Sequence, residues 1–239
     1  MSFLRAEWRK LALANYVIDP ERLAPHVPAG TELDLWQGKC YLSLVGFMFV
    51  NTRLLGVKVP FHVNFEEVNL RFYVRRREGS EWRRGVVFIK EIVPKPALTW
   101  VANTIYREHY ETLPMDHFWR EDGHERVVEY RWRKARHWQT FRVEAEAAPT
   151  AIAPGSEAEF ITEHYWGYAR VTDARTNEYE VTHPRWEQYA VRDYAIQVDF
   201  AAVYGPEFAD LTTARPASVM LAEGSPITVE RKRRLLLTD

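Results

Sequence analysis

Residues Phe65 to Arg75 alternate with a period of two, so Val68, Leu70, Phe72 and Val74 fall on one side of an extended chain and Glu67, Asn69, Arg71 and Tyr73 on the other. Such a strand has one apolar face to bury and a second face of charged and amide groups that need partners. Glu78-Gly79-Ser80 supplies a turn, and Arg83 to Val93 is again rich in β-formers, so the two segments are expected to pair as a hairpin. That pairing sets Glu67, Asn69 and Arg71 near the Lys90/Glu91 end of the partner strand. Regular alternation along Gly85 to Lys95 places Val87, Ile89, Glu91 and Val93 on a common face, just ahead of a lysine that precedes Pro96. A carboxylate and an amine would then meet at the rim of an apolar pocket, either as a plain salt bridge or as a pair in which the lysine pKa is depressed.

The remaining chain is read mostly as strand: Glu32 to Trp36, Cys40 to Val50, Glu125 to Arg133, Trp138 to Ala147, Trp166 to Thr172, Glu178 to His183, Ala217 to Leu221 and Ile227 to Arg233. Asp19-Pro20 caps a short helix, Pro96 opens an amphipathic helix to Tyr110, and Ser156-Glu-Ala-Glu159 is a capping box for a helix to about His164. Phe200 to Phe208 is a further short helix, interrupted by Gly205-Pro206. Many strands with a few peripheral helices predict an α+β, mainly β fold: a large curved antiparallel sheet or barrel, in one domain over residues 1–239.

The 32 basic and 33 acidic side chains nearly cancel, which removes the global field that would collect nucleic acid or an anionic membrane. No run of 18 apolar residues and no signal-peptide core occurs, and Cys40 stands alone, so a reduced cytoplasmic setting without disulfides is expected. Arg75-Arg76-Arg77 and Arg83-Arg84 flank the hairpin turn and read as a solvated tip. No glycine-rich dinucleotide fingerprint, phosphate loop or nucleophile elbow is found, and Glu108-His109 and Glu163-His164 each lack a second ligand at metal spacing. Neither a cofactor nor a metal is therefore expected.

Several segments together carry a family resemblance: Leu23 to Asp34, Tyr41 to Phe47, Pro60-Phe61-His62, Glu67 to Val74, Gly85 to Pro94, Glu163 to Tyr168 and Leu221 to Pro226. They resemble the YqjF-like proteins, a domain of unknown function (2071) that is similar at a distance to acetoacetate decarboxylase. The resemblance implies a β cone or barrel around a central small-molecule cavity. It also implies a lysine that forms a Schiff base with a carbonyl substrate, and Glu91, Pro94 and Lys95 can be laid on the decarboxylase motif of Glu followed by Pro-Lys-Lys. Glu67 resembles the carboxylate that precedes a strand in the decarboxylase pocket. Two departures stand out: Pro96 follows Lys95 where a second cation is expected, and the spacing from Glu to Pro is shorter. Arg71 is the replacement candidate for that cation.

Lys95, Glu91 and Glu67 are thus the candidate catalytic residues, with Lys95 as nucleophile and the two carboxylates moving protons. Arg71 and Arg53 are candidate clamps for a carboxylate, unless they serve as ion-pair partners of Glu66 or Glu67. His62, His164 and Tyr168 are candidate pocket residues, with core packing as the competing explanation. Two functional readings follow: a cofactor-independent lyase acting on a small keto acid or carbonyl compound, or a noncatalytic small-molecule binding domain that lost the reactive lysine pair. Self-association into a homo-oligomer through free strand edges is a further expectation.

Overall fold

The strand order explains how a face bearing Glu67, Asn69 and Arg71 comes to be buried. The structure, a computed structural model, describes residues 2–236, so the expected span of 1–239 runs past it at both ends. In chain order the strands are β1 (Leu4–Ile18), β2 (Glu32–Leu33), β3 (Cys40–Leu54), β4 (Phe65–Glu78), β5 (Glu81–Val93), β6 (Tyr110–Thr112), β7 (Met115–Glu121), β8 (Glu125–Lys134), β9 (His137–Ala151), β10 (Trp166–Thr172), β11 (Arg175–Thr182), β12 (Glu187–Gln197), β13 (Ser218–Val229) and β14 (Arg233–Leu236). Short helices α1 (Pro20–Leu23), α2 (Pro96–Val101), α3 (Glu157–Thr162) and α4 (Phe200–Tyr204) lie between them.

Because β11 pairs with both β10 and β13, the strands β13, β1, β3, β4, β5, β10 and β11 close into a ring. The fold is mainly β with few helices, as the sequence implies, but the sheet is mixed: β5 runs parallel to β10 and to β6. From β13 the sheet continues through β12, β9, β8 and β7 as an antiparallel wing. Residues of the wing, among them Val128, Tyr130, Trp132, Phe141 and Val143, share one hydrophobic cluster with Leu42, Leu44, Val68, Leu70 and Phe72 on the outer face of the ring. A second cluster, with Leu13, Tyr41, Val45, Phe47, Phe65 and Tyr73, fills part of the ring interior. The ring strands are therefore buried on both faces, which accounts for the unbroken buried run at the start of β3.

The β4–β5 hairpin forms, with Asn69 opposite Glu91, yet its alternation differs from the sequence expectation. Leu70 pairs with Lys90 and Arg71 with Phe88, which leaves Ile89 as an extra residue in a bulge. Val87 and Ile89 join the outer cluster, whereas Val93 joins the inner one. The expected helix from Pro96 to Tyr110 is also shorter: α2 passes into a π-turn over residues 102–106, and Arg107 ends it in the left-handed conformation (φ 64°). The caps at Asp19 and Ser156 form as expected, with Asp19 Oδ1 accepting from the Glu21 N–H (3.0 Å) and Ser156 Oγ from that of Glu159 (3.1 Å). The hairpin tip is less solvated than expected, because Arg76 and Arg83 pair with the buried carboxylate of Glu178.

At Gly46 on β3 the ring packs tightly against the wing. A β-carbon there would lie 2.6 Å from Cδ2 of Tyr130, and that ring cannot readily withdraw, because its hydroxyl donates to the Lys10 carbonyl at 2.7 Å. Gly46→Ala is expected to lower stability by about 1–3 kcal/mol through overpacking. Urea unfolding measures it, and an unchanged midpoint would show that the wing packs more loosely than described.

Candidate functional site

Inward-facing residues of β4 and β5, together with side chains from β3, β6, β10, β11 and α2, enclose a cavity of about 260 Å³. Its walls are largely aromatic and aliphatic, with Phe47, Phe49, Phe65, Phe88, Trp166 and Trp186 prominent. This combination of apolar wall and few convergent polar groups is typical of a small-molecule site.

One polar pole is a group of buried carboxyls. Glu67 on β4, Glu91 on β5 and Glu108, two residues before β6, are all buried and line the cavity. Asn69 Nδ2 donates to Glu67 Oε1 (3.0 Å), the Tyr110 hydroxyl donates to Glu67 Oε2 (3.1 Å), and the Tyr179 hydroxyl donates to Glu108 (2.9 Å). Burial pushes Glu67 up to about 7, against the pull of Asn69, Tyr110 and Arg71. Burial likewise lifts Glu108 to about 8, and Glu91 is raised well above the ordinary range by burial and then by the charges of Glu108 and Glu67. Near neutral pH the group therefore retains protons and can both donate and accept them.

On the same strand face stands Arg71, 8% exposed and lining the same cavity, with its charge acting on Glu67 and Glu91. Its Nε–H has no hydrogen-bond partner among the described residues, and its guanidinium lies 5.9 Å from the centre of the Tyr73 ring. Asn69 Oδ1 and Glu91 Oε2 are likewise buried without a partner among the described residues. His62, His164 and His183 also line the cavity.

The structure gathers some of the sequence-nominated residues and separates others. Glu67, Glu91, Arg71, His62 and His164 all line the cavity. Lys95 does not: it is half-buried at the entrance to α2, and among the described residues no lysine lines the cavity. Its charge acts instead on Glu66, an outward neighbour of Glu67, whose carboxyl burial would raise but His117 and then Lys95 hold below the ordinary range. Arg53 is exposed, because Asn51 takes a positive φ (55°) near the end of β3 and Thr52 and Leu54 become the inward residues. Tyr168 faces the outer cluster and donates to the Arg83 carbonyl (3.3 Å), while Gly167 faces the cavity. At Gly167 any β-carbon would strike the Tyr179 ring at 2.2 Å, so glycine is what lets Tyr179 reach Glu108. Cys40 is buried, and its thiol is raised to about 11 by burial, which leaves it inert near neutral pH. Glu108, Tyr110 and Tyr179 were not singled out by the sequence as site residues.

Carboxyls raised from 4.5 to between about 7 and 8 bind more protons in the folded chain than in the unfolded one across that window. Their contribution to stability is present on the acid side and is lost as pH rises through the folded values. Glu108→Gln should therefore melt close to wild type at pH 5 and above it at pH 8.5, as followed by circular dichroism. A variant that is less stable at pH 8.5 would mean that Glu108 is an ionised, paired carboxylate.

Among solved structures, the chain superposes on acetoacetate decarboxylase from Legionella pneumophila with a TM-score of 0.68 at 10% identity, covering 97% of this chain and 86% of that one. It also superposes on the enduracididine biosynthesis enzyme MppR complexed with pyruvate (TM-score 0.66, 13% identity, 100% and 92% covered). An acetoacetate decarboxylase-like enzyme from Sphingomonas wittichii gives 0.60 at 14% identity, with 100% and 95% covered. At these identities the likeness is one of fold. In sequence, 72 residues are 35% identical to the uncharacterized protein YqjF of Bacillus subtilis, a match that spans 30% of either chain. The family description "uncharacterized conserved protein" fits residues 5–226, and the chain accordingly belongs to the DUF2071 family.

Proposed function

We propose that the protein takes a small organic acid into its ring cavity, with Arg71 holding the carboxylate and the Glu67, Glu91 and Glu108 carboxyls exchanging protons with the far end of the molecule. The observation that carries this reading is the state of Arg71. A guanidinium stays charged, and here it is buried in an apolar cavity whose own carboxyls favour the protonated form. The site is left with a net positive pole and unused donors, which an incoming monoanion satisfies through charge-assisted hydrogen bonds. A fold neighbour, MppR, is complexed with pyruvate, a ligand of the same class.

The Schiff-base route through Lys95 has less support. An imine needs an amine in contact with the bound carbonyl, and among the described residues no lysine lines the cavity. The second reading, binding without turnover, is favoured by the Pro96 that stands where a paired lysine would follow Lys95.

Borohydride treatment in the presence of acetoacetate or pyruvate tests the route, and the expected result is no mass adduct. An adduct mapped to Lys95 would reinstate the imine. Calorimetric titration with phenylacetate and pyruvate tests the anchor: Arg71→Gln is expected to weaken binding about 10- to 100-fold, in line with loss of a charge-assisted hydrogen bond. Equal affinity in wild type and variant would overturn it. Turnover is separated from binding by deuterium exchange into the pyruvate methyl group, which Glu67→Gln should slow if the carboxyls move protons.

A further inference from the structure

A second polar pole of the cavity carries an inference that rests on the organic-acid reading and narrows it. Asp34, just after β2, is buried, and its Oδ2 accepts from both Arg84 Nε (2.6 Å) and His164 Nε2 (3.1 Å). Its own backbone N–H is tied to the Tyr73 carbonyl (3.0 Å). Burial alone would raise the Asp34 carboxyl, but the hydrogen bonds from His164 and Arg84 hold it below the ordinary range, so it is an ionised acceptor. An ionised carboxylate accepts only, and His164 must therefore place its ring proton on Nε2.

Nδ1 of His164 is left as a lone-pair acceptor. The side chain is 1% exposed, the residue lines the cavity, and Nδ1 is buried with no hydrogen-bond partner among the described residues. The imidazole stays neutral, lowered to about 4 by burial against the pull of Asp34 and with the push of Arg84 and Arg71. It is held from the sides by Tyr73 (ring centres 4.7 Å apart) and Phe160 (5.1 Å), while the Arg84 guanidinium covers Phe160 at 4.8 Å. Tyr73 is also the ring beside which Arg71 lies, so the cavity sets a fixed donor and a fixed acceptor against one aromatic side chain.

From this juxtaposition we infer that His164, oriented by Asp34, is a specificity residue that accepts a hydrogen bond from a hydroxyl near the carboxylate held by Arg71, so that the preferred ligands are hydroxy acids. A keto or unsubstituted acid offers Nδ1 no proton and leaves this buried acceptor unpaired.

Mandelate and phenylacetate differ only by such a hydroxyl and serve as probes in calorimetric titration. Wild type is expected to bind mandelate at least about tenfold more tightly than phenylacetate, and His164→Phe to bring the ratio of the two affinities to about one. If phenylacetate binds through Arg71 but mandelate gains nothing, this inference is overturned and the anchor stands. If neither acid binds, both readings fall. Nitrogen-15 NMR of the ligand-free wild type gives an answer independent of any variant's folding, since Nε2 of His164 should be protonated and Nδ1 bare. The opposite tautomer would overturn the inference. Asp34→Asn, which can offer the ring an amide N–H, should shift that tautomer balance and reduce the mandelate preference together; an unchanged tautomer would remove Asp34 as the positioning residue.

Discussion

Glu67, Asn69 and Arg71 face the ring interior because the alternate positions of β4, Val68, Leu70 and Phe72, are committed to the contact with the wing. With a side-chain period of two, covering one face of the strand with the wing forces the other face inward. The closure of β11 onto β13 then removes that inner face from bulk water. Desolvation does the rest: it raises the carboxyls, leaves the guanidinium as the fixed charge, and gives each unpartnered donor or acceptor a strong preference for a ligand that completes it.

Much of this was legible where local pattern decides. The alternation of β4, the turn at Gly79, the capping residues Asp19 and Ser156, and the break at Gly205-Pro206 all rest on short-range chemistry, and each appears where the sequence puts it. What failed were places where one extra residue or one unusual backbone angle resets the pattern. The bulge at Ile89 and the positive φ of Asn51 leave no mark in composition, yet the first separates Val87 from Glu91 and the second turns Arg53 to solvent. β1 went unrecognised because Leu11 to Tyr16 is buried on both faces and shows no alternation. Glu108 was hidden by reading the helix on to Tyr110, and the pairing of Asp34 with His164, 130 residues apart, depends on the assembled ring.

The YqjF-like segments identified the family, and the likeness to the decarboxylase-like enzymes is one of fold. The interior is equipped with carboxyls, tyrosines, histidines and an arginine, and among the described residues its lining includes no lysine. Such a set is suited to proton transfer and anion recognition, whereas an imine route needs an amine brought into contact with the bound carbonyl. Two lining residues lie beside the Tyr73 ring: Arg71, whose guanidinium only donates, and His164, whose Nδ1 is unpartnered among the described residues.

The most direct measurement is a carbon-13 NMR titration of the glutamate side-chain carboxyls in the ligand-free protein. Signals from Glu67, Glu91 and Glu108 are expected to remain at the protonated position at pH 6 and to move only at or above neutrality. Ionisation of all three near the ordinary glutamate value of about 4.3 would show that the interior is wet, and would contradict a cavity whose one uncompensated charge is Arg71.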